Sequence, residues 1–314
     1  MSKAASTLRV GDKDVPFTHA DKVLYPRDGI TKADLAAHYQ AVWPRMGPLL
    51  MDRPVTIHRY PRGLGGGGFY QRRAQEWFPR WLKTADIPMK SAPHLMVREV
   101  VADSPAALVF LVNIGALEIH ASLARAGAPD LADMMIFDLD PPGDFTDEVR
   151  QAAWRLRDAL AALGLPVFVK TTGSRGFHVT VPLRPTRSFD ATRALARAIA
   201  RRVIAESPQK LTLTPRKEQR KGRILIDIWR NAYAQTAVAP YSTRARSGAP
   251  VAMPLSWDEM TQGIHPRQWT IANAAQRLCG PDPWADFLAK AVDLDTWAAS
   301  APRDLRQTLA TQGP

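Results

Sequence analysis

Residues 134–142 read MMIFDLDPP, an alternation of apolar side chains and carboxylates that stops at two prolines. Successive residues of a strand point to opposite faces. Met135, Phe137 and Leu139 therefore share one face, and Ile136, Asp138 and Asp140 the other. The stretch predicts a strand with an apolar side for a core and two carboxylates on its reverse. Thr146 or Asp147 can cap a helix running to about Leu163, with Val149, Ala153, Leu156, Leu160 and Leu163 on one stripe and Gly164 as its stop. PVFVKTT predicts a second strand. After a Gly-containing turn HVTVPL predicts a third, its Val179, Val181 and Leu183 inward and His178 and Thr180 outward. A helix from about Phe189 to Ser207 would bury Leu195, Ile199 and Val203. ILIDIW predicts a fourth strand, with Ile224, Ile226 and Ile228 inward and Asp227 outward.

The order β-α-β-β-α-β is the split ferredoxin-like arrangement of a mixed α/β (α+β) protein. Its first and third strands are central, and the fourth lies beside the first. Asp138, Asp140 and Asp227 would then share the sheet face away from the helices, with His178 on the strand at the other side.

The flanking sequence divides into a segment 1–130, the core 131–250 and a segment 251–314. In the first, VTIHRYP reads as a strand, GLGGGGFYQRR as a mobile turn leading into an aromatic and basic edge, and AALVFLVNIGALEIH as a buried helix followed by a strand. The last segment carries Trp257, Trp269, Trp284 and Trp297, which suit packing better than base stacking. Helical stretches are expected near Pro283–Val292 and Leu294–Leu309.

The 314 residues include 42 Lys+Arg against 30 Asp+Glu, a formal +12, so a polyanion is the first partner to consider. The excess is local: residues 170–246 hold 17 basic and 4 acidic side chains, a net of +13, whereas the rest has 25 against 26. Arg193, Arg197, Arg201 and Arg202 share one predicted helix and are as easily a solvated face as a binding surface. The single Cys279 excludes an intrachain disulfide and any Cys-based zinc cage, which points to a reducing compartment. No apolar run reaches the length of a membrane span, and no secretory signal is read at the start. A cytoplasmic, nucleoid-associated location is expected.

Three carboxylates on one face repel one another and call for a divalent cation. Hard oxygen ligands suit Mg²⁺ or Mn²⁺. Two such ions can activate a primer hydroxyl and stabilise departing pyrophosphate. The competing structural reading pairs Asp227 with Arg230 or Arg223. The segment Lys170-Thr-Thr-Gly-Ser-Arg-Gly-Phe-His178 is not a Walker loop. It is equally an ordinary hairpin or a triphosphate cradle built from hydroxyls, turn N–H groups and Arg175. By itself His120 reads as a core histidine more readily than a functional one. Phe69 and Tyr70 beside Arg72 and Arg73 suit either a flexible hairpin or stacking on a base.

THADKVLYP, RPVTIHRYP, GGGGFYQRR, LEIH, MIFDLDPP, KTTGSRGFHVTVPL, KGRILIDIWRN and YSTRARSGAPVAMPLSWDE follow one another in this order. Together, over residues 15–290, they resemble the polymerase domain of bacterial ligase D, a branch of the archaeo-eukaryotic primase superfamily. The resemblance implies a primase-polymerase fold whose core is an RRM-like sheet. It also implies a Mn²⁺-favouring nucleotidyltransferase that extends primers, often with ribonucleotides, in non-homologous end joining or gap filling. Carried over residue by residue, Asp138, Asp140 and Asp227 match the catalytic metal ligands. His120, Thr172, Arg175, His178 and Arg220 match contacts to the incoming NTP or dNTP, with Arg244 and Arg246 nearby. Lys22 and Lys32 match the grip on a 5′-phosphate, and Phe69 and Tyr70 an aromatic pair at the template.

The chain departs from the family pattern in carrying Thr172 for Ser and Arg175 for Lys, both able to contact phosphate. His19 stands where Asn is expected and His58 where Lys is expected. No ligase or nuclease module is read: either the chain works with a separate DNA ligase, with the end-binding protein Ku as a further candidate partner, or it is one piece of a longer protein. Two other functions use the same residues: a non-catalytic DNA-end binding module and a metal-dependent phosphohydrolase.

Overall fold

In the computed structural model, which describes residues 6–312, the Met134–Asp140 strand is third in a six-stranded sheet. The order across that sheet is Leu211–Thr212, Ile224–Asp227, Met134–Asp140, Phe177–Pro182, Phe168–Thr171, Pro254–Leu255. The four middle strands are antiparallel neighbours and reproduce the predicted order. Both edge strands are two residues long and are additions to the expected core, one parallel to Ile224–Asp227 and the other antiparallel to Phe168–Thr171.

Helices Asp147–Ala162 and Phe189–Ala205 pack on the face lined by Phe137, Leu139, Val179 and Ile226, all buried. The first follows Thr146, whose side chain makes no capping bond. Asp147 and Glu148 in its opening turn complement the helix dipole, and Gly164 at φ +70° ends it. The second is capped by Ser188, whose hydroxyl accepts from the Ala191 N–H at 3.3 Å, and buries Leu195, Ile199 and Val203.

The chain forms two compact units that follow packing rather than chain order. One comprises the described chain up to Ser122 with Val238–Ala252 and Trp269–Asp282; the other comprises Leu123–Ala237, Met253–Gln268 and the chain from Pro283. In the second unit the indole N–H groups of Trp257, Trp284 and Trp297 donate to the carbonyls of Val167, Val169 and Leu163. These three tryptophans are packing anchors, as expected. The helices expected for Pro283–Val292 and Leu294–Leu309 form only as Leu294–Ala298 and Arg303–Ala310, with turns over 283–290. Stacking of Trp284 on Phe287, with centroids 4.6 Å apart, occupies the first stretch. Asp293 starts a new helix by capping Asp295 and Thr296, and Pro302, lacking an N–H, divides the last two.

In the first unit Pro54–Arg59 lies between Ala116–Ser122 and Ala92–Val101, with Thr84–Met89 beyond. Phe69–Gln71 is a strand on Pro54–Arg59, so the glycine run leads into a paired edge. Pro105–Asn113 is buried along its length, and Lys32–Leu50 opens with a capping box between Thr31 and Asp34. No helix among the described residues is long and apolar enough to cross a membrane.

His38, on Lys32–Leu50, is buried and its Nε2 lies 3.0 Å from the Tyr241 carbonyl. Burial pushes its imidazole from 6.5 down to about 4, against the hydrogen bond to Tyr241. The folded-state value is depressed, so protonation favours the unfolded chain. The His38 contribution is therefore complete above pH 6.5 and is lost as pH falls towards 4. Between pH 7.5 and pH 5 it should cost about 2 kcal/mol. Urea unfolding at the two pH values checks this: His38→Gln should lose less stability on acidification by about that amount, and equal losses would refute it.

Candidate functional site

Antiparallel register builds the site. Asp138 is directly opposite Asp227 on one neighbouring strand and His178 on the other, and His178 is opposite Lys170. Directly opposite residues of a sheet share a face. Lys170, His178, Asp138 and Asp227 thus form one row across four strands, with Asp140 two residues on from Asp138 along its strand.

Each carboxylate in this row is differently held. Asp138 has His178 Nε2 at 3.4 Å and Arg230 Nε at 3.3 Å. Burial works to raise its pKa, but His178, Arg230 and Lys170 outweigh that and keep it well below the usual carboxylate range. His178 is pushed down to about 4 by burial and by Lys170, against the pull of Asp138, so its ring is neutral at pH 7. Asp140 lies between Arg175 at 3.0 Å and Arg220 at 2.9 Å. Asp227 accepts the Trp229 N–H at 2.7 Å, yet burial and the neighbouring charges of Asp138 and Asp140 raise its pKa. The pairing of Asp227 with Arg230 or Arg223 is not formed: Arg230 turns to Asp138, and Arg223 donates to backbone carbonyls.

Among the described residues no three His, Cys, Asp or Glu side chains are gathered as a metal cage; arginines pair with Asp138 and Asp140 instead, and the neutral His178 ring lies beside Asp138. The donor set nonetheless fits a hard divalent cation, being three carboxylates on one face. Burial is the larger cause of the raised Asp227, and the repulsion from Asp138 and Asp140 that adds to it is what such a charge relieves.

The turn between Lys170 and His178 is compact. The Thr172 hydroxyl donates to the Gly176 carbonyl at 3.0 Å and accepts from the N–H groups of Ser174 and Gly176. A Cβ at Gly176 would stand 1.8 Å from the Leu139 carbonyl, so only glycine lets the turn lie against the strand between Asp138 and Asp140. Arg175 reaches Asp140 from this turn. Arg175, His178 and Arg220 are gathered at the carboxylates, and the Thr172 hydroxyl holds the turn from which Arg175 extends.

His120, Arg244 and Tyr70 meet in the other unit around a residue that sequence reasoning passed over, Glu118. Its buried carboxylate has His120 Nε2 at 2.7 Å, Arg244 Nε at 3.1 Å and His58 Nδ1 at 3.8 Å on one oxygen, and the Ala245 N–H at 2.9 Å on the other. Burial acts to raise its pKa; His120, His58 and Arg244 prevail and hold it far below the ordinary range. Tyr70 stacks flat on His58, centroids 4.1 Å apart, and meets the His120 ring edge-on. Phe69 and Tyr70 remain open, 50% and 60% exposed. Arg246 is exposed one residue beyond Ala245.

Lys22 and Lys32 are placed differently. The Lys32 ammonium is buried among Thr18 O, Asn113 O and Asn113 Oδ1 at 2.6 to 3.1 Å, and Lys22 donates to Pro61 O at 2.6 Å. Both ammonium groups already have backbone acceptors. Lys170 and Arg230 are the other residues missed; counting back from His178 through the turn would have put Lys170 in the row. Glu118, two residues before His120 on a strand, could likewise have been placed on the histidine's face.

A family model described as the LigD primase-polymerase domain matches residues 31–284. The multifunctional non-homologous end joining DNA repair protein LigD of Mycobacterium tuberculosis is 34% identical over 259 residues, covering 79% of this chain and 34% of that protein. LigD of Pseudomonas aeruginosa is 31% identical over 296 residues, 90% of this chain and 34% of that protein. The chain thus spans about a third of the length of these relatives. The solved polymerase domain from Mycobacterium tuberculosis ligase D in complex with DNA superimposes with a TM-score of 0.81 at 32% identity, over 88% of this chain and 99% of that one.

Two substitutions test the clusters. Glu118→Gln withdraws the anion shared by His120 and Arg244 and should cost about 3 kcal/mol in chemical unfolding, whereas exposed Glu148→Gln should cost under about 0.5. Equal midpoints for the two variants would remove Glu118 from its organising role. Gly176→Ala should move the Arg175 turn off the sheet; an unchanged thermal midpoint and unchanged chemical shifts for residues around Asp140 would contradict this.

Proposed function

The chain belongs to the LigD primase-polymerase domain family, and from that premise we propose that it is a template-directed nucleotidyltransferase extending primers at gaps or double-strand breaks. The observation that carries this reading is the row in which Asp138 and Asp227 are cross-strand partners, with Asp140 beside them. Asp138, Asp140 and Asp227 would hold two Mn²⁺ or Mg²⁺ ions. Bound there, such ions supply Lewis-acid stabilisation of the attacking and leaving oxygens in displacement at phosphorus.

The chain's own residues do the rest. Arg175 and Arg220, both already directed at Asp140, offer planar N–H forks suited to phosphate oxygens. The compact Thr172–Gly176 turn fixes where the Arg175 fork begins. His178, neutral at pH 7, orients Asp138 without adding charge. Lys170 offsets part of the row's negative charge, where carboxylates alone would repel a triphosphate. His120, Arg244 and Arg246 are proposed contacts to the NTP or dNTP, and Phe69 and Tyr70 to the template. Lys22 and Lys32 would meet a 5′-phosphate only by giving up their present carbonyl partners. DNA with 5′-phosphorylated gaps or ends is the proposed substrate, in repair such as non-homologous end joining alongside a ligase and Ku. Ribonucleotide incorporation and a preference for Mn²⁺ are proposed on the resemblance.

Extension of a 5′-phosphorylated gapped duplex with NTPs and Mn²⁺ tests the reading. Asp138→Ala should lower the rate at least about a hundredfold, the loss expected when several kcal/mol of transition-state stabilisation go. Tight DNA binding without extension by the wild type would make this a binding module. Consumption of triphosphate without extension would make it a phosphohydrolase.

A further inference from the structure

Directly after Asp227 the chain sends two neighbouring side chains in different directions. Arg230 returns to Asp138 on the carboxylate face. Trp229 turns to the Phe189–Ala205 helix, where the guanidinium groups of Arg193 and Arg197 lie over its ring at 5.3 Å and 5.6 Å from the centroid. The indole is not enclosed by them, remaining 45% exposed. Its position is fixed at the backbone, because the Trp229 N–H donates to Asp227 Oδ1 at 2.7 Å. At the end of the strand that carries Asp227, a guanidinium at the carboxylates and an indole at the helix thus belong to consecutive residues.

The helix adds to it. Arg193, Arg197 and Arg201 recur every four residues, on one stripe of its surface. Like charges at this spacing destabilise a helix. Arg193 has Asp190 at 2.7 Å, but neither Arg197 nor Arg201 forms an ion pair among the described residues. The adjacent Arg202, which leaves the stripe, is instead paired with Asp304. The stripe thus retains mutual repulsion that a line of negative charges would relieve. Its exposed aromatic ring sits where a base or sugar can lie beside those charges.

We propose that Trp229, Arg193, Arg197 and Arg201 form a contact surface for the phosphodiester backbone of the nucleic-acid strand whose end reaches the carboxylates. This rests on the polymerase reading of that site. Recognition here is by charge and by the face of the indole, so it is independent of base sequence. The surface starts at Trp229, two residues after Asp227, and runs outward along the helix.

The test is fluorescence anisotropy with the full chain and a labelled primer annealed to a longer template, titrated at several salt concentrations. Arg193→Ala/Arg197→Ala should make the slope of log K against log salt shallower by about 1.4 to 1.8, the release expected for two phosphate contacts. Arg193→Lys/Arg197→Lys should keep the wild-type slope, and circular dichroism should show every variant folded. Trp229→Ala should weaken binding about tenfold and Trp229→Phe much less. A double-alanine slope equal to that of the wild type overturns the proposal. Loss of binding to a polyglutamate probe with DNA binding intact also overturns it and assigns the surface to an acidic protein segment. Primer extension is measured in parallel: extension with an unaltered slope removes the surface and leaves the polymerase. A shallower slope with no extension by the wild type removes the polymerase and leaves the surface.

Discussion

The register that sets Asp138 between His178 and Asp227 is the constraint on which the carboxylate site depends. Side chains on a sheet alternate with period two, so a slip of one residue on either neighbouring strand would send His178 or Asp227 to the helix side. Both slips are opposed by burial. Val179 and Val181 on one strand and Ile224 and Ile226 on the other are buried, and the same slip would bring them out from under the two helices. The polar row is thus held in place by the apolar face behind it. Close approach adds a second lock, because the Gly176 backbone lies against the Leu139 carbonyl and leaves no space for a side chain.

Burying this much charge is not a route to stability. Well-packed apolar residues of the same volume usually serve a fold at least as well as buried ion pairs. The site nevertheless gathers Asp138, Asp140 and Asp227 with Lys170, Arg175, Arg220 and Arg230, while His178 stays neutral. Such concentrations mark functional sites more often than structural ones. They also explain why the basic excess of the sequence falls within residues 170–246. Part of it balances the carboxylates and part pairs with other acids, as Arg193 does with Asp190 and Arg202 with Asp304, whereas Arg197 and Arg201 form no ion pair among the described residues.

The core was legible because its periodicities are clean. Alternation in MMIFDLD and HVTVPL and the apolar stripes of two helices were enough to order four strands, and that order brought three distant aspartates together. What escaped has identifiable causes. The two-residue edge strands Leu211–Thr212 and Pro254–Leu255 are too short to show a period. The chain from Pro283 has helical composition, but ring stacking at Trp284 and Phe287 and the break at Pro302 decide its path. Lys170 was hidden because its role depends on the length of a turn. Glu118 was hidden because an acidic residue in an apolar strand shows its purpose only when its partners, drawn from residues as distant as His58 and Arg244, are in place.

Two sheets repeat one pairing to opposite effect. His178 is the cross-strand partner of Asp138, and His58 that of Glu118. In the first case two further carboxylates share the face, so anions crowd together and Asp227 is raised. In the second, one carboxylate stands among His58, His120 and Arg244, so every group around it is drawn towards a single point. Crowded anions suit the holding of a cation, whereas a lone buried anion suits the aiming of the cationic and imidazole groups around it. Glu118, sequestered at the centre of its cluster, thus sets the positions of His120 and Arg244, while Asp138, Asp140 and Asp227 have the chemistry to engage a cation directly.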